Sequence, residues 1–112
     1  MTLERFLEII NNKEYEKLEY SNSHNMARFH DDSIKIYTRN GAFIRFRLDY
    51  HVKGFFHMTV TSYFDIHFFV PGEDRSVSNY RVTEQESIYK TLQSLFYLLK
   101  AEIRQEQANK YF

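Results

Sequence analysis

From Phe43 to Gly72 the chain reads FIRFRLDYHVKGFFHMTVTSYFDIHFFVPG, and for most of that length apolar and polar residues alternate with a period of two. Alternation of this kind separates side chains onto the two sides of a pleated strand, whereas a helix would scatter them around its circumference. The chain must therefore bury one face of an antiparallel sheet. The even-numbered residues Ile44, Phe46, Leu48, Tyr50, Phe56, Met58, Val60, Phe64, Ile66, Phe68 and Val70 supply that face, with Ile34 and Ile36 from the preceding SIKIYTR. Ser62 is the one polar residue on it.

Loop lengths follow from keeping that face together. With Arg39-Asn40-Gly41 as a three-residue loop, Ile36 faces Ile44 and Ile34 faces Phe46; a two-residue turn would set both isoleucines against arginines. The same logic makes Val52-Lys53-Gly54 a three-residue loop, pairing Leu48 with Met58 and Phe46 with Val60. Unbroken alternation from Phe55 to Val70 would need a strand of about 53 Å, well beyond common strand lengths. A bend or break is expected near Ser62.

Helices are expected on either side of this meander. Thr2 caps a stripe of Leu3, Phe6, Leu7 and Ile10, and Tyr15 and Leu18 carry the helix to about Tyr20. SNSHN then reads as a polar loop. MARFH reads as a strand, with Ala27 and Phe29 on one side and Arg28 and His30 on the other; Asp31–Asp32 makes a tight turn. After Pro71-Gly72, GEDRSVSNYR reads as a charged loop. Thr83 and Glu86 form a capping box for a helix over 84–110, with Ile88, Leu92, Leu95, Leu99 and Ile103 as its stripe and Phe96 beside it. That helix would be about 40 Å long, so its polar end, RQEQANKYF, should project past the sheet or lie on another subunit. Tyr89, Phe96, Tyr97 and Leu98 widen its apolar arc, which favours a second contact such as a homodimer seam. The expected fold is α+β: an N-terminal helix, an antiparallel meander of four to five strands, and a long C-terminal helix on one sheet face, all in a single domain over 1–112.

Catalytic motifs are missing from the sequence. Three scattered glycines cannot form a phosphate loop, no G-x-S-x-G elbow occurs, and no spacing singles out a carboxylate pair. The domain is expected to be non-enzymatic. Under the expected register Asp49 lies opposite His57 with His51 nearby, a set chemically suited to zinc, yet cross-strand Asp–His contacts are ordinary, so no metal and no cofactor are expected. The chain has no cysteine, no stretch resembling a signal peptide and no apolar run of membrane-spanning length, which points to a soluble, cytoplasmic protein away from membranes.

The odd-numbered face carries the functional expectation. Tyr37, Arg39, Phe43, Arg45, Arg47, Phe55, His57 and Tyr63 interleave rings with cations and are the expected partner-binding residues. A single-stranded nucleic acid could use the same mixture, and coverage by the chain's own loops is the bland reading. Fifteen basic and fifteen acidic groups cancel, whereas nucleic-acid binders usually show a basic excess. A protein partner, including a second copy, therefore ranks ahead of nucleic acid. By type alone, small cysteine-free, motif-free domains include inhibitors that phages and mobile elements direct at bacterial defence enzymes, such as anti-CRISPR proteins.

Overall fold

The computed structural model describes residues 1–25 and 29–110, with the side chains of residues 23–25, 29, 30 and 51 left aside. Helix α1 (Leu3–Asn11) leads into strands β1 (Tyr15–Asn25), β2 (Phe29–Thr38), β3 (Phe43–Lys53), β4 (Thr59–Phe69) and β5 (Ser78–Thr83), and helix α2 (Ile88–Asn109) follows. The strands form one antiparallel meander in the order β1-β2-β3-β4-β5. Both helices pack on its even-numbered face. The architecture is α+β, as the sequence implies.

Phe46, at the centre of the sheet, meets both helices at once. Its ring stands edge-on to Phe6 of α1 and to Phe96 of α2, each 5.2 Å away, and tilts against Phe64 at 5.3 Å. Edge-to-face geometry suits the ring quadrupoles. Ile34, Ile36, Ile44, Leu48, Ile66, Val82 and Leu92 complete a fully buried layer around these four rings.

Helix α1 ends earlier than the stripe suggests. Thr2 caps it as expected, its Oγ1 accepting from the Arg5 N–H at 3.1 Å. At the other end Lys13 turns left-handed (φ 51°), and the N–H groups of Lys13 and Glu14 donate to the carbonyls of Ile10 and Ile9. That pair of bonds is a Schellman stop. Tyr15 to Tyr20 is therefore strand, not helix: Leu18 and Tyr20 face inward while Lys17 and Glu19 face out. SNSHN continues the same strand instead of looping. Met26–Arg28 of MARFH lie outside the described residues. Asp31 and Asp32 do not turn; they pair with Asp49 and Leu48 inside β2.

The Arg39-Asn40-Gly41 loop holds as read. Ile36 faces Ile44, Ile34 faces Phe46, and Gly41 is left-handed at φ 78°. The second hairpin differs. Leu48 pairs with Phe64 instead of Met58, Phe46 with Ile66 and Val52 with Val60, so the partners slip by six residues. Six is even, and the slip keeps every residue that stays in β3 and β4 on its expected face. It lengthens β3 and moves the connection to residues 54–58, so Phe56, Met58 and Val60 stand exposed instead of joining the core.

Ser62 does not break the strand. It pairs with Tyr50 in mid-ladder, and its Oγ bonds the Glu84 carboxylate and the Tyr89 hydroxyl. A buried hydroxyl met by two partners is tolerated, so the chain turns at the hairpin instead. In the expected loop GEDRSVSNYR the last four residues belong to β5, with Tyr80 paired to Ile66. The Thr83 N–H donates to the Glu86 carboxylate at 2.8 Å, half of the expected capping box, in a turn that precedes α2. Helix α2 begins at Ile88 and buries Tyr89, Leu92, Phe96, Leu99 and Ile103, with Ile88 and Leu95 only partly covered. Residues 104–110 are exposed.

Phe46→Ala removes the ring that both helices share and should cost about 3–5 kcal/mol, read as a lower urea midpoint at unchanged slope. Lys13→Gly removes the steric penalty of a left-handed lysine and should raise stability by about 0.5–1 kcal/mol in the same measurement.

Candidate functional site

With α1 and α2 both on the even side, no other helix or strand among the described residues covers the odd face of the sheet. Its side chains fall into rows that run across the strands. One row is Lys17–Tyr37–Phe43–Phe69, and the next is Glu19–Lys35–Arg45–His67–Asn79. Then come Ser21–Ser33–Arg47–Asp65–Arg81 and, beyond it, Asp31–Asp49–Tyr63–Thr83.

The first two rows make an aromatic ladder under cations. Phe43 and Phe69 stack at 4.7 Å and 13°, Tyr37 leans on Phe43 at 5.8 Å, and His67 stacks beside Phe69 at 6.3 Å. Lys35 lies 5.0 Å from the Phe43 centroid, Arg45 5.3 Å from Phe69 and Lys17 5.7 Å from Tyr37. These stems half-cover the rings while their charged ends stay near water.

The third and fourth rows are held by ion pairs. Asp65 is 3% exposed and accepts from Arg81 Nε at 2.9 Å, Arg81 Nη2 at 3.3 Å and Arg47 Nη2 at 2.9 Å. Burial alone would raise its pKa, but the two guanidiniums outweigh that and hold it below the usual carboxylate value. Arg47 Nε also lies 3.2 Å from Asp49. Asp49 goes the other way: burial pushes its pKa up to about 6, against the pull of Arg47 and with Asp65 and Asp31 adding to the rise. Arg81 caps this region, 4.2 Å over the Tyr63 ring.

Of the residues expected to bind a partner, Tyr37, Phe43, Arg45, Arg47 and Tyr63 share this face. Arg47 is also part of the ion-paired frame. Arg39 sits in the β2–β3 loop and lines a cleft on the α1 side instead of joining the ladder. Phe55 and His57 are off the face, in the β3–β4 connection, because of the six-residue slip; Phe55 is 84% and Phe56 97% exposed. A Cβ on Gly54 would sit 2.1 Å from the His57 carbonyl oxygen, so this turn needs glycine to present the two rings at the hairpin tip. The slip also places Tyr63, not His57, opposite Asp49. The Asp49/His51/His57 set is thus not assembled through that pairing, and among the described residues no group of three or more His, Asp or Glu could hold a metal ion.

Lys17, Glu19, Arg81 and Asn79 belong to the face and escaped the sequence reading. The signal is present: KLEY and SNYRV both alternate, but KLEY also fits a helix stripe and SNYRV follows a charged, turn-rich stretch. On the other side of the molecule a cleft of about 570 Å³ is lined by Met1, Ile9, Ala42, Phe68, Val70 and Pro71, with Arg5, Glu14 and Arg39 among its polar groups. Arg5 and Glu14 are already joined by two hydrogen bonds.

Comparison with known proteins finds no family model, no curated protein and no solved structure that this chain matches. Among the described residues no helix is long and apolar enough to cross a membrane.

The raised pKa of Asp49 has a stability consequence. The folded protein holds this proton more tightly than the unfolded chain, whose value is about 3.9. The resulting stability is present below that value and is lost as pH rises to about 6. Above it, ionised Asp49 costs the fold on the order of 1 kcal/mol after solvent screening. Asp49→Asn should therefore raise stability near pH 7.5, with the gain fading toward about pH 4. Urea titrations across that range check it, and a gain independent of pH would contradict it.

Proposed function

We propose that this chain is a small non-enzymatic binding protein that acts by laying its open sheet face on a partner protein's surface. The observation that carries the reading is that both helices cover one side of the sheet, leaving the ladder of Tyr37, Phe43 and Phe69, with Lys35 and Arg45 across it, on the uncovered side. Rings with few rotatable bonds anchor an interface, and arginine and lysine at their margin give directional polar contacts. The hairpin tip with Phe55 and Phe56 adds an apolar projection at the far end of the same sheet. Occluding a partner's working surface is how an inhibitor of the phage and mobile-element type would act.

A second reading, a regulator that binds single-stranded nucleic acid, is favoured by the parallel stacking of Phe43 on Phe69, a platform on which bases could continue. The balance of fifteen basic and fifteen acidic groups opposes it, since nucleic-acid binders usually carry a basic excess.

Affinity capture from a bacterial lysate with and without nuclease separates the two. The protein reading expects a defined protein retained after nuclease and reduced at least about tenfold by the Lys35→Glu/Arg45→Glu pair. Capture abolished by nuclease, with affinity falling log-linearly in salt, would move the assignment to nucleic acid.

A further inference from the structure

The cleft on the α1 side is built from three parts of the chain, and each part is pinned. Met1 and Ile9 belong to the α1 end, Thr38–Ala42 to the β2–β3 loop, and Phe68, Val70 and Pro71 to the end of β4. The Tyr80 hydroxyl donates to the Met1 carbonyl. In the loop the Thr38 N–H and hydroxyl both donate to the Ala42 carbonyl, at 2.9 and 3.1 Å, and the Gly41 N–H donates back to Thr38. Gly41 is left-handed at φ 78°, and a Cβ there would lie 3.6 Å from Pro71 Cγ, so the loop rests against the third wall. A preformed, mostly apolar cleft of about 570 Å³ falls within the roughly 300–1,000 Å³ of small-molecule sites.

Three charged side chains reach the cleft, and they are not equivalent. Arg5 donates to both oxygens of the Glu14 carboxylate and also to Glu8. Those hydrogen bonds are the main reason the Glu14 carboxyl titrates below its ordinary value, and Arg39 adds the smallest pull. Glu14 is thus committed to Arg5. Among the described residues Arg39 makes no hydrogen bond and no ion pair, and its guanidinium has donors to offer at the rim. The Asn40 amide stands beside it in the same loop.

We propose that this cleft binds a small amphiphilic carboxylate, a medium-chain or aromatic organic acid, with its carboxylate on Arg39 and its apolar body between Ile9, Phe68 and Val70. The planar guanidinium fork can take both carboxylate oxygens at once, which fixes the ligand's direction. Burial of the apolar body against the three walls supplies the affinity. A bare inorganic anion would meet Arg39 but leave those walls unfilled, and a hydrocarbon would fill them but leave the guanidinium unused. The site lies apart from the open sheet face, so it neither needs nor excludes a protein partner there.

Titration of the full chain with sodium octanoate, sodium acetate and 1-octanol near pH 7.5, where a carboxylic acid is ionised, tests this, with methyl NMR shifts locating the ligand. Octanoate should bind saturably with a Kd below about 1 mM. It should bind at least about fivefold tighter than octanol, which lacks the charge, and than acetate, which lacks the apolar body. Its shifts should centre on the methyls of Ile9, Ala42 and Val70. Arg39→Ala, in an exposed loop and checked for folding by circular dichroism, should bring octanoate down to about the affinity of octanol. Absence of saturable octanoate binding up to about 5 mM would overturn the proposal. So would octanol binding as tightly as octanoate, an Arg39→Ala variant of unchanged affinity, or shifts that gather instead at Met58 and Val60 beside the hairpin tip. Shift mapping needs no variant, so the location stands or falls even if Arg39→Ala fails to fold.

Discussion

Covering one face of a five-stranded sheet is the constraint on which the molecule depends, and the cover closes at Phe46. The ring lies where α1 and α2 meet above the centre of the sheet, with Phe6, Phe64 and Phe96 around it. Each such ring contributes about 1.5–3 kcal/mol by leaving water, and neither helix alone would seal the layer. Both helices lie on this side, and among the described residues no further helix or strand covers the other. The open face follows from how the core is closed.

That open face is nonetheless organised. In an antiparallel sheet each row across the strands brings together residues far apart in sequence. Here the rows sort by chemistry: rings under lysines and arginine, then Asp65 between two arginines, then Asp31 and Asp49. Asp65 is almost fully buried because Arg47 and Arg81 satisfy it from both sides, so the frame of the face is rigid where charge is most costly to bury. Asp49, one row on, shares Arg47 with Asp65 and faces two other carboxylates, which leaves it short of compensating charge. Burial is the main cause of its raised pKa, with Asp65 and Asp31 adding to the rise against the pull of Arg47.

Much of the architecture was legible from the sequence, and the errors have a common physical origin. Parity was secure: Ile34, Ile36, Ile44, Phe46, Leu48, Phe64 and Ile66 are all buried, as their even spacing requires. Register was secure at Gly41, where a short loop with a left-handed glycine leaves little choice. It was not secure at Gly54, because slipping β4 by an even number preserves the buried face, and local pattern cannot rank the alternatives. The three-dimensional cost decides. The observed register places Phe64 and Ile66 under the helices and lets Glu84 and Tyr89 reach Ser62, at the expense of exposing Phe56, Met58 and Val60. One element, β1, is ambiguous because helix and strand patterns overlap: Tyr15 with Leu18 fits a helix stripe, while KLEY fits a strand equally well.

What the sequence determined by itself was the set of faces: which parity of strand residues goes inward, that the sheet is antiparallel, and that helices flank it. Periodicity is a local property of the chain and survives any even change of register. What only the tertiary structure decided was which residues lie side by side across the strands. It put Arg81 beside Asp65, Tyr63 beside Asp49, and Phe55 and His57 at a hairpin tip away from the face. Those neighbours depend on strand register and on which edges β1 and β5 occupy. Both are set by how well two helices close over Phe46, a comparison of long-range packing energies that no short window of sequence contains.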